Sequence, residues 1–338
     1  MPEFELLQIF QGIATMVASE PIIAIARVML IALGIMFVYL GANGTLEPLI
    51  MIPMGVGMAS VNAGVLYLSS TTTGTLFIDP IASEPEQLLE VLQINFLQPI
   101  YTFTFSNGLI AVLIFMGIGV ISDIGYMLIS PFRCMTIAIF AELGTLLTFP
   151  IAVAMGLPYN EAAAIAMVGS ADAPMVLYTS LLLAKDLFVP ITIVAYLYLS
   201  LAYAGYPYLV RMMIPKELRG IKMDQTKIPN ISKKEKITFA IIIATLLCLL
   251  FPVAAPLFAA FFLGIIIRES GVTQFIEFLS GPVLYGATFF LGLLLGALFE
   301  ASTILNPKVI LLLILGITAL LLSGIGGIIG GYVVYWTS

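Results

Sequence analysis

Asp172 is the residue whose setting most clearly asks for chemistry. It stands in "GSADAP", residues 169–174, with mostly apolar sequence on both sides. A carboxylate near the middle of a bilayer costs roughly 2.5–3.5 kcal/mol on insertion scales, so it needs a partner or a polar cavity. A carboxylate beside unwound backbone carbonyls offers the oxygen ligands that a hard cation such as Na+ takes. The same residue also reads as a plain helix N-cap. Ser170 is a secondary candidate beside it. Tyr198 lies in "AYLYLSLAY" with Tyr196 and Tyr203 close by. Aromatic residues at span ends are commonly interfacial anchors, but a phenol facing Asp172 could relay a proton. Glu142, in "AIFAELGTLL", lies deep in an apolar run with no evident partner. It is either neutral or turned to a polar cavity. Asn107 and Asn62 offer carbonyl oxygens, or simply mark turns. Asp123 and Glu300 stand at the ends of two similar apolar runs, as helix-end groups or as site residues.

The elements that must hold these residues are membrane helices. The chain has 338 residues, of which 61% are hydrophobic and 9% charged, against about 25% charged in an ordinary soluble domain. Several apolar runs approach or exceed the 18–20 residues that cross a bilayer. There is no histidine, and the two cysteines, Cys134 and Cys248, sit inside apolar runs. Disulfide frameworks, zinc sites and histidine bases are therefore excluded or disfavoured. No phosphate-binding loop or nucleophile elbow is present, and nothing points to nucleic acid. The glycine cluster Gly324, Gly326, Gly327, Gly330 and Gly331 reads as close helix packing.

Charge placement sets the organisation. Eight of the thirteen Lys and Arg fall between Arg211 and Lys236, so this loop is expected to face the cytoplasm. The loop near 69–99 carries Asp79, Glu84, Glu86 and Glu90 and is expected outside. Residues 1–20 read as an amphipathic interfacial helix, from Phe4, Leu7, Phe10 and Ile13. Residues 21–210 form a first transmembrane repeat, 211–236 the basic loop, and 237–338 a second, truncated repeat. Spans are expected at about 22–40, 107–125, 134–155, 188–210, 283–299 and 309–336. Pro53 should break the apolar segment 48–68. Pro252 and Pro256 must break the run 237–267, which as one helix would be about 46 Å long against a core of about 30 Å.

The two halves resemble each other in order. "FMGIGVISDIGYMLISP" from Phe115 and "FLGLLLGALFEASTILNP" from Phe290 both open Phe-x-Gly, carry an acidic residue, reach a proline and enter a second long span. Upstream, "EPLIMIPMGVG" and "APLFAAFFLGI" correspond loosely. Broken hydrophobic segments in two such halves point to an inverted-repeat carrier, with its site at discontinuous helix tips. The expected fold is an all-α polytopic membrane protein, elevator-transporter-like, with the second repeat incomplete. In the "GSADAP" tip, Gly169 is expected to permit the bend, Asp172 to cap the resuming helix, and Pro174 to sit in its first turn.

At these residues the sequence resembles the beta subunits of the sodium-translocating biotin-dependent decarboxylases, the oxaloacetate, methylmalonyl-CoA, glutaconyl-CoA and malonate pumps. "IFMGIGVISDIGYMLISP", "GSADAPMVLYTS", "AYLYLSL", "SKKEK" and "RESGV" carry the likeness, which spans nearly the whole chain. The resemblance implies a membrane subunit that decarboxylates carboxybiotin, uses a proton from outside and moves Na+ outward. It implies as partners a carboxyltransferase alpha subunit, a biotin carrier protein and a small single-span gamma or delta subunit, in a prokaryotic cell membrane. An oligomer of the chain stays open. The resemblance matches Asp172 to the family's sodium-binding carboxylate and Tyr198 to its sodium- and proton-linked tyrosine. Ser170, Ala173 and Met175 replace two glycines and a threonine of the family tip. A second broken tip is expected past Ser338, so the chain reads as a fragment or an incomplete homologue. Two other functions stay open: a Na+- or H+-coupled organic-anion carrier without decarboxylation, and a degenerate homologue serving as a scaffold.

Overall fold

The computed structural model describes residues 9–68, 73–80, 82, 85–221 and 231–337. The start of the expected interfacial helix, Glu84 of the acidic loop, and Lys222 and Lys227 of the basic loop lie outside the described residues. The principal helices are α1 (Gln11–Ala18), α2 (Pro21–Ala42), α3 (Pro48–Ala63), α4 (Pro85–Ile94), α5 (Leu109–Ile121), α6 (Pro131–Ala141), α7 (Leu143–Ala154), α8 (Tyr159–Ala166), α9 (Ala173–Leu183), α10 (Phe188–Met213), α11 (Lys233–Leu250), α12 (Ala255–Ser270), α13 (Leu284–Leu298) and α14 (Pro307–Thr337). One short antiparallel pair, β1 (Leu66–Tyr67) with β2 (Thr73–Gly74), is the sheet among the described residues. Among the described residues, six helical stretches are long and apolar enough to cross a membrane: Pro21–Ala42, Pro131–Ala154, Lys185–Met213, Pro252–Ser270, Thr273–Leu298 and Pro307–Thr337. A broken pair, Gln98–Phe105 and Leu109–Ile121, makes a seventh if counted as one span. The protein is an all-α, multi-pass membrane protein.

Prolines start many of these helices. Pro21, Pro48, Pro131, Pro174 and Pro256 each occupy a first turn, where the missing N–H costs nothing. As expected, Pro252 and Pro256 divide the long run: α11 stops at Leu250 and α12 begins at Ala255. Pro53 departs from expectation. It lies inside an unbroken α3. The bare Gly292 of α13 makes room for its ring, since a side-chain carbon there would lie 2.8 Å from Pro53 Cγ. Membrane helices tolerate an internal proline where neighbours fill the gap.

The chain divides into two compact units, residues 1–107 with 289–313, and residues 108–288 with 314–338. In the first, α2 and α3 form a tight hairpin. A Cβ on Gly34 would lie 2.6 Å from the Gly55 carbonyl, and one on Gly55 2.5 Å from that of Gly34. The C-terminal part of α13 completes it: a Cβ on Gly57 would lie 2.6 Å from Leu293 O, and Gly296 abuts Met54 O. In the second unit, α11 and α12 form the corresponding hairpin. There α5 completes it, with Gly119 against Phe261 and Gly264 against Met116 and Gly119. Small residues at such crossings let helix backbones approach closely in lipid.

These contacts bear on the repeat read from sequence. The same local order follows α5 and α13: an acidic residue (Asp123 or Glu300), a one-turn helix (Gly125–Ile129 or Ala301–Ile304), a proline and a further helix. The α2–α3 hairpin is thus closed by α13, and the α11–α12 hairpin by α5.

Candidate functional site

The second unit holds Asp172. Helix α8 runs into a 3-10 turn, Met167–Ser170, and the chain then reverses before α9. The sequence assigns the bend to Gly169. The structure assigns it to Ala171, which adopts left-handed φ 55°, ψ 27°, the one non-glycine residue with positive φ among the described residues. That conformation costs an alanine roughly 1–2 kcal/mol, a strain that persists where the surroundings hold it. Gly169 serves packing instead. Any side chain there would run into the backbone of Gly144 and Thr145 in α7. Gly144 in turn lies against α14, where an added Cβ would sit 2.5 Å from Ala319 O. The tip is thus clamped through two bare glycines to two long helices.

Asp172 caps α9 as expected. Its Oδ1 accepts the Met175 N–H at 3.2 Å, and Pro174 follows in the first turn. The positive end of the α9 dipole supports the carboxylate, and half-burial keeps it from full solvation. Ser170 turns inward on its own turn, its hydroxyl donating to Met167 O at 2.7 Å. Glu142 has a partner the sequence did not suggest: Thr145 Oγ1 donates to its Oε2 at 2.8 Å. Glu142 is exposed rather than deep, yet its charge reaches Asp172, and the two carboxylates repel.

Among the described residues of this unit, two hydroxyls are buried without a hydrogen bond, Thr148 Oγ1 and Tyr196 Oη. Such groups are uncommon and point to an absent partner. Thr148 stands one turn after Gly144 on α7, and Tyr196 on α10, which packs on α9. Tyr196 is 2% exposed and lies within electrostatic reach of Asp172. The sequence carried a signal for it. Thr192, Tyr196 and Ser200 recur at four-residue spacing, and all three are buried. This polar stripe meets α9 where Ser180 Oγ and Thr192 Oγ1 approach to 3.5 Å. Tyr198, the residue favoured by resemblance, points elsewhere on α10. It is half-buried, and its ring lies over Gly316 of α14. Hydroxyl and carboxylate oxygens are hard ligands of the kind Na+ takes.

Asp123 enters a separate cluster. Its Oδ1 accepts from the Gly125 N–H at 2.9 Å and from Lys236 Nζ at 3.0 Å. Lys236 also bonds the buried Glu269 at 3.2 Å, and Arg268 Nη2 lies 3.7 Å from Asp123 Oδ2. Arg268 further donates to Ile121 O at 2.6 Å. The capping box of Ser232 and Glu235 fixes the α11 start that presents Lys236. The segments "SDIG", "SKKEK" and "RESGV" thus meet at one place. The Gly125 N–H, then Lys236 and Arg268, hold the Asp123 carboxyl below its ordinary range. Its stabilising effect is therefore present above the unfolded pKa near 3.9 and is lost as pH falls through the lower folded value. Asp123 is 39% exposed, so solvent screening limits the effect to about 1 kcal/mol or less. Asp123→Asn should lower the unfolding temperature in detergent slightly at pH 7, with the difference from wild type shrinking towards pH 3. A difference that grows on acidification would contradict this account.

Asn107 and Asn62 lie in the first unit. Asn107 is exposed and its Nδ2 donates to Phe103 O at 2.9 Å. Asn62 is buried, with Nδ2 bonded to Met58 O and Phe299 O and Oδ1 to Ala301 N. Glu300 bonds Ser302 Oγ at 3.4 Å.

Residues 26–338 match the family described as Na+-transporting oxaloacetate decarboxylase beta subunit. The chain belongs to this family. It is 54% identical to the carboxybiotin decarboxylase of Malonomonas rubra over 334 residues, covering 99% of this chain and 83% of the relative. It is 30% identical to the methylmalonyl-CoA decarboxylase subunit beta of Propionigenium modestum, over 86% of this chain and 74% of that one. The oxaloacetate decarboxylase beta chain of Haemophilus ducreyi is 28% identical over 96% and 82%. These three relatives are named for three different decarboxylations.

Proposed function

We propose that this chain is the membrane subunit of a sodium-transporting decarboxylase and that it decarboxylates carboxybiotin. A partner biotin carrier delivers the carboxybiotin, loaded by a carboxyltransferase. The carboxylate leaves as CO2, and a proton replaces it on the ring nitrogen. The observation that carries the reading is Asp172 at a broken helix tip in a chain of this family. Na+ is the transported substrate, and Asp172, Thr148 and Tyr196 are the oxygens proposed to meet it, with Tyr198 in the proton path. Family membership does not favour the carrier without decarboxylation. Coupling requires that Na+ and the proton bind the two access states with different affinity. One carboxylate serves that need, because Na+ and H+ compete for the same charge. The basic loop 211–236 is proposed to face the cytoplasm, where the carrier arrives.

The test uses the assembled complex in sealed liposomes. Decarboxylation should depend on Na+, and labelled Na+ should accumulate as CO2 is released. Equal decarboxylation with and without Na+, with no Na+ movement, would sink the proposal.

A further inference from the structure

Arg27 lies two turns into α2 and is 3% exposed. A buried guanidinium needs compensation, because desolvating an unpaired charge is costly. Among the described residues no carboxylate lies within ion-pair distance of it. Its partners are neutral. Nε donates to Asn62 O at 2.9 Å. Nη1 and Nη2 each reach Thr15 Oγ1 at 3.4 Å, and Nη2 reaches Gly12 O at 3.3 Å. The first of these has ordinary length, and the other three exceed the usual range for N–H···O. The inner nitrogen is anchored, whereas the terminal fork is loosely held. That fork is the part of arginine that grips a carboxylate through two parallel bonds.

Arg27 lines a cavity of about 370 Å3 within the first unit. Thr75 lines the same cavity. It is 8% exposed, and its Oγ1 makes no hydrogen bond. Asn62 cannot turn to fill the gap, since both ends of its amide are engaged. Glu300 and Ser302 form another part of the wall. The cavity therefore offers a buried cation with neutral partners only, an unpartnered hydroxyl and, elsewhere, a carboxylate.

We propose that this cavity binds a small carboxylate monoanion. The carboxylate engages the Arg27 fork and the Thr75 hydroxyl. Glu300 repels a second negative charge, so a neutral or hydrogen-bond-donating tail is favoured over a dicarboxylate. Acetate-like acids and bicarbonate share this chemistry. The proposal is independent of the sodium site.

The test is thermal unfolding of the full chain in detergent at constant Na+ and ionic strength, with chloride replaced stepwise by acetate, bicarbonate or succinate. Ligand that binds only the folded state raises the unfolding temperature in a saturable way. Acetate, bicarbonate or both should do so, with half-saturation on the order of 1 mM, and the tighter of the two identifies the source. Succinate should be at least about tenfold weaker. Arg27→Gln should raise the half-saturation by at least about tenfold. If that variant does not fold, Thr75→Val decides. It removes a buried hydroxyl that has no partner, so the unliganded unfolding temperature should hold while half-saturation rises several-fold. No saturable rise with either monoanion, or an unchanged half-saturation in the folded variant, would overturn the proposal.

Discussion

Asp172→Asn is expected to lower Na+-dependent carboxybiotin decarboxylation by the assembled complex by about 100-fold, the equivalent of about 3 kcal/mol for a lost charged ligand. The substitution is informative because asparagine caps helices about as well as aspartate. The Oδ1 contact to the Met175 N–H can survive the change, so α9 should start where it does now. Unfolding temperature and assembly with partner subunits should therefore stay near wild type while Na+ uptake disappears. A variant that assembles and still pumps at more than half the wild-type rate would reduce Asp172 to a structural cap. A scaffold without transport would show no change in decarboxylation at all.

Tyr196→Phe is expected to split stability from sodium affinity. Its hydroxyl is buried without a hydrogen bond, so removing it should leave the chain as stable, or more stable by about 1 kcal/mol. If the hydroxyl waits for Na+, half-saturation by Na+ should rise by about tenfold, the loss of about 1.4 kcal/mol of ligand interaction. Tyr198→Phe should act differently. Tyr198 lies over Gly316 and is proposed to relay a proton, so its loss should lower the maximal rate and alter the pH profile with little change in Na+ half-saturation. Measuring decarboxylation against Na+ concentration at several pH values separates the two. If Tyr198→Phe alone shifts Na+ half-saturation, the roles of the two tyrosines are reversed.

How legible these features were in the sequence depended on whether the signal was local. Most spans were readable because lipid forces every backbone group into a helix of predictable length and apolarity; the one expected at 107–125 is instead the 13-residue α5, bent by 67° from Gln98–Phe105. The cap at Asp172 and the proline two residues later followed from the chemistry of a helix start. The bend itself was misplaced. Glycine is the default for a left-handed residue, and nothing local shows that Ala171 takes that conformation while Gly169 is needed for contact with Gly144. Choosing between Tyr196 and Tyr198 required knowing which face of α10 meets α9. The stripe of Thr192, Tyr196 and Ser200 held that information at helical spacing, but it is short and lies in a helix apolar on most sides. Pro53 was read as a break because the compensating Gly292 is more than two hundred positions away. That Arg27 has no carboxylate partner among the described residues is a product of tertiary packing, which no local pattern shows.

That α13 closes the α2–α3 hairpin and α5 the α11–α12 hairpin has a consequence for how the molecule is made. Residues up to Ala63 leave the ribosome long before Leu293 and Gly296, which close their hairpin. The first hairpin must therefore wait, its glycine face against lipid or an insertion factor, through most of translation. The second hairpin, by contrast, emerges after α5, the helix that completes it, has already been made. Synthesis order thus lets the later hairpin be finished before the earlier one.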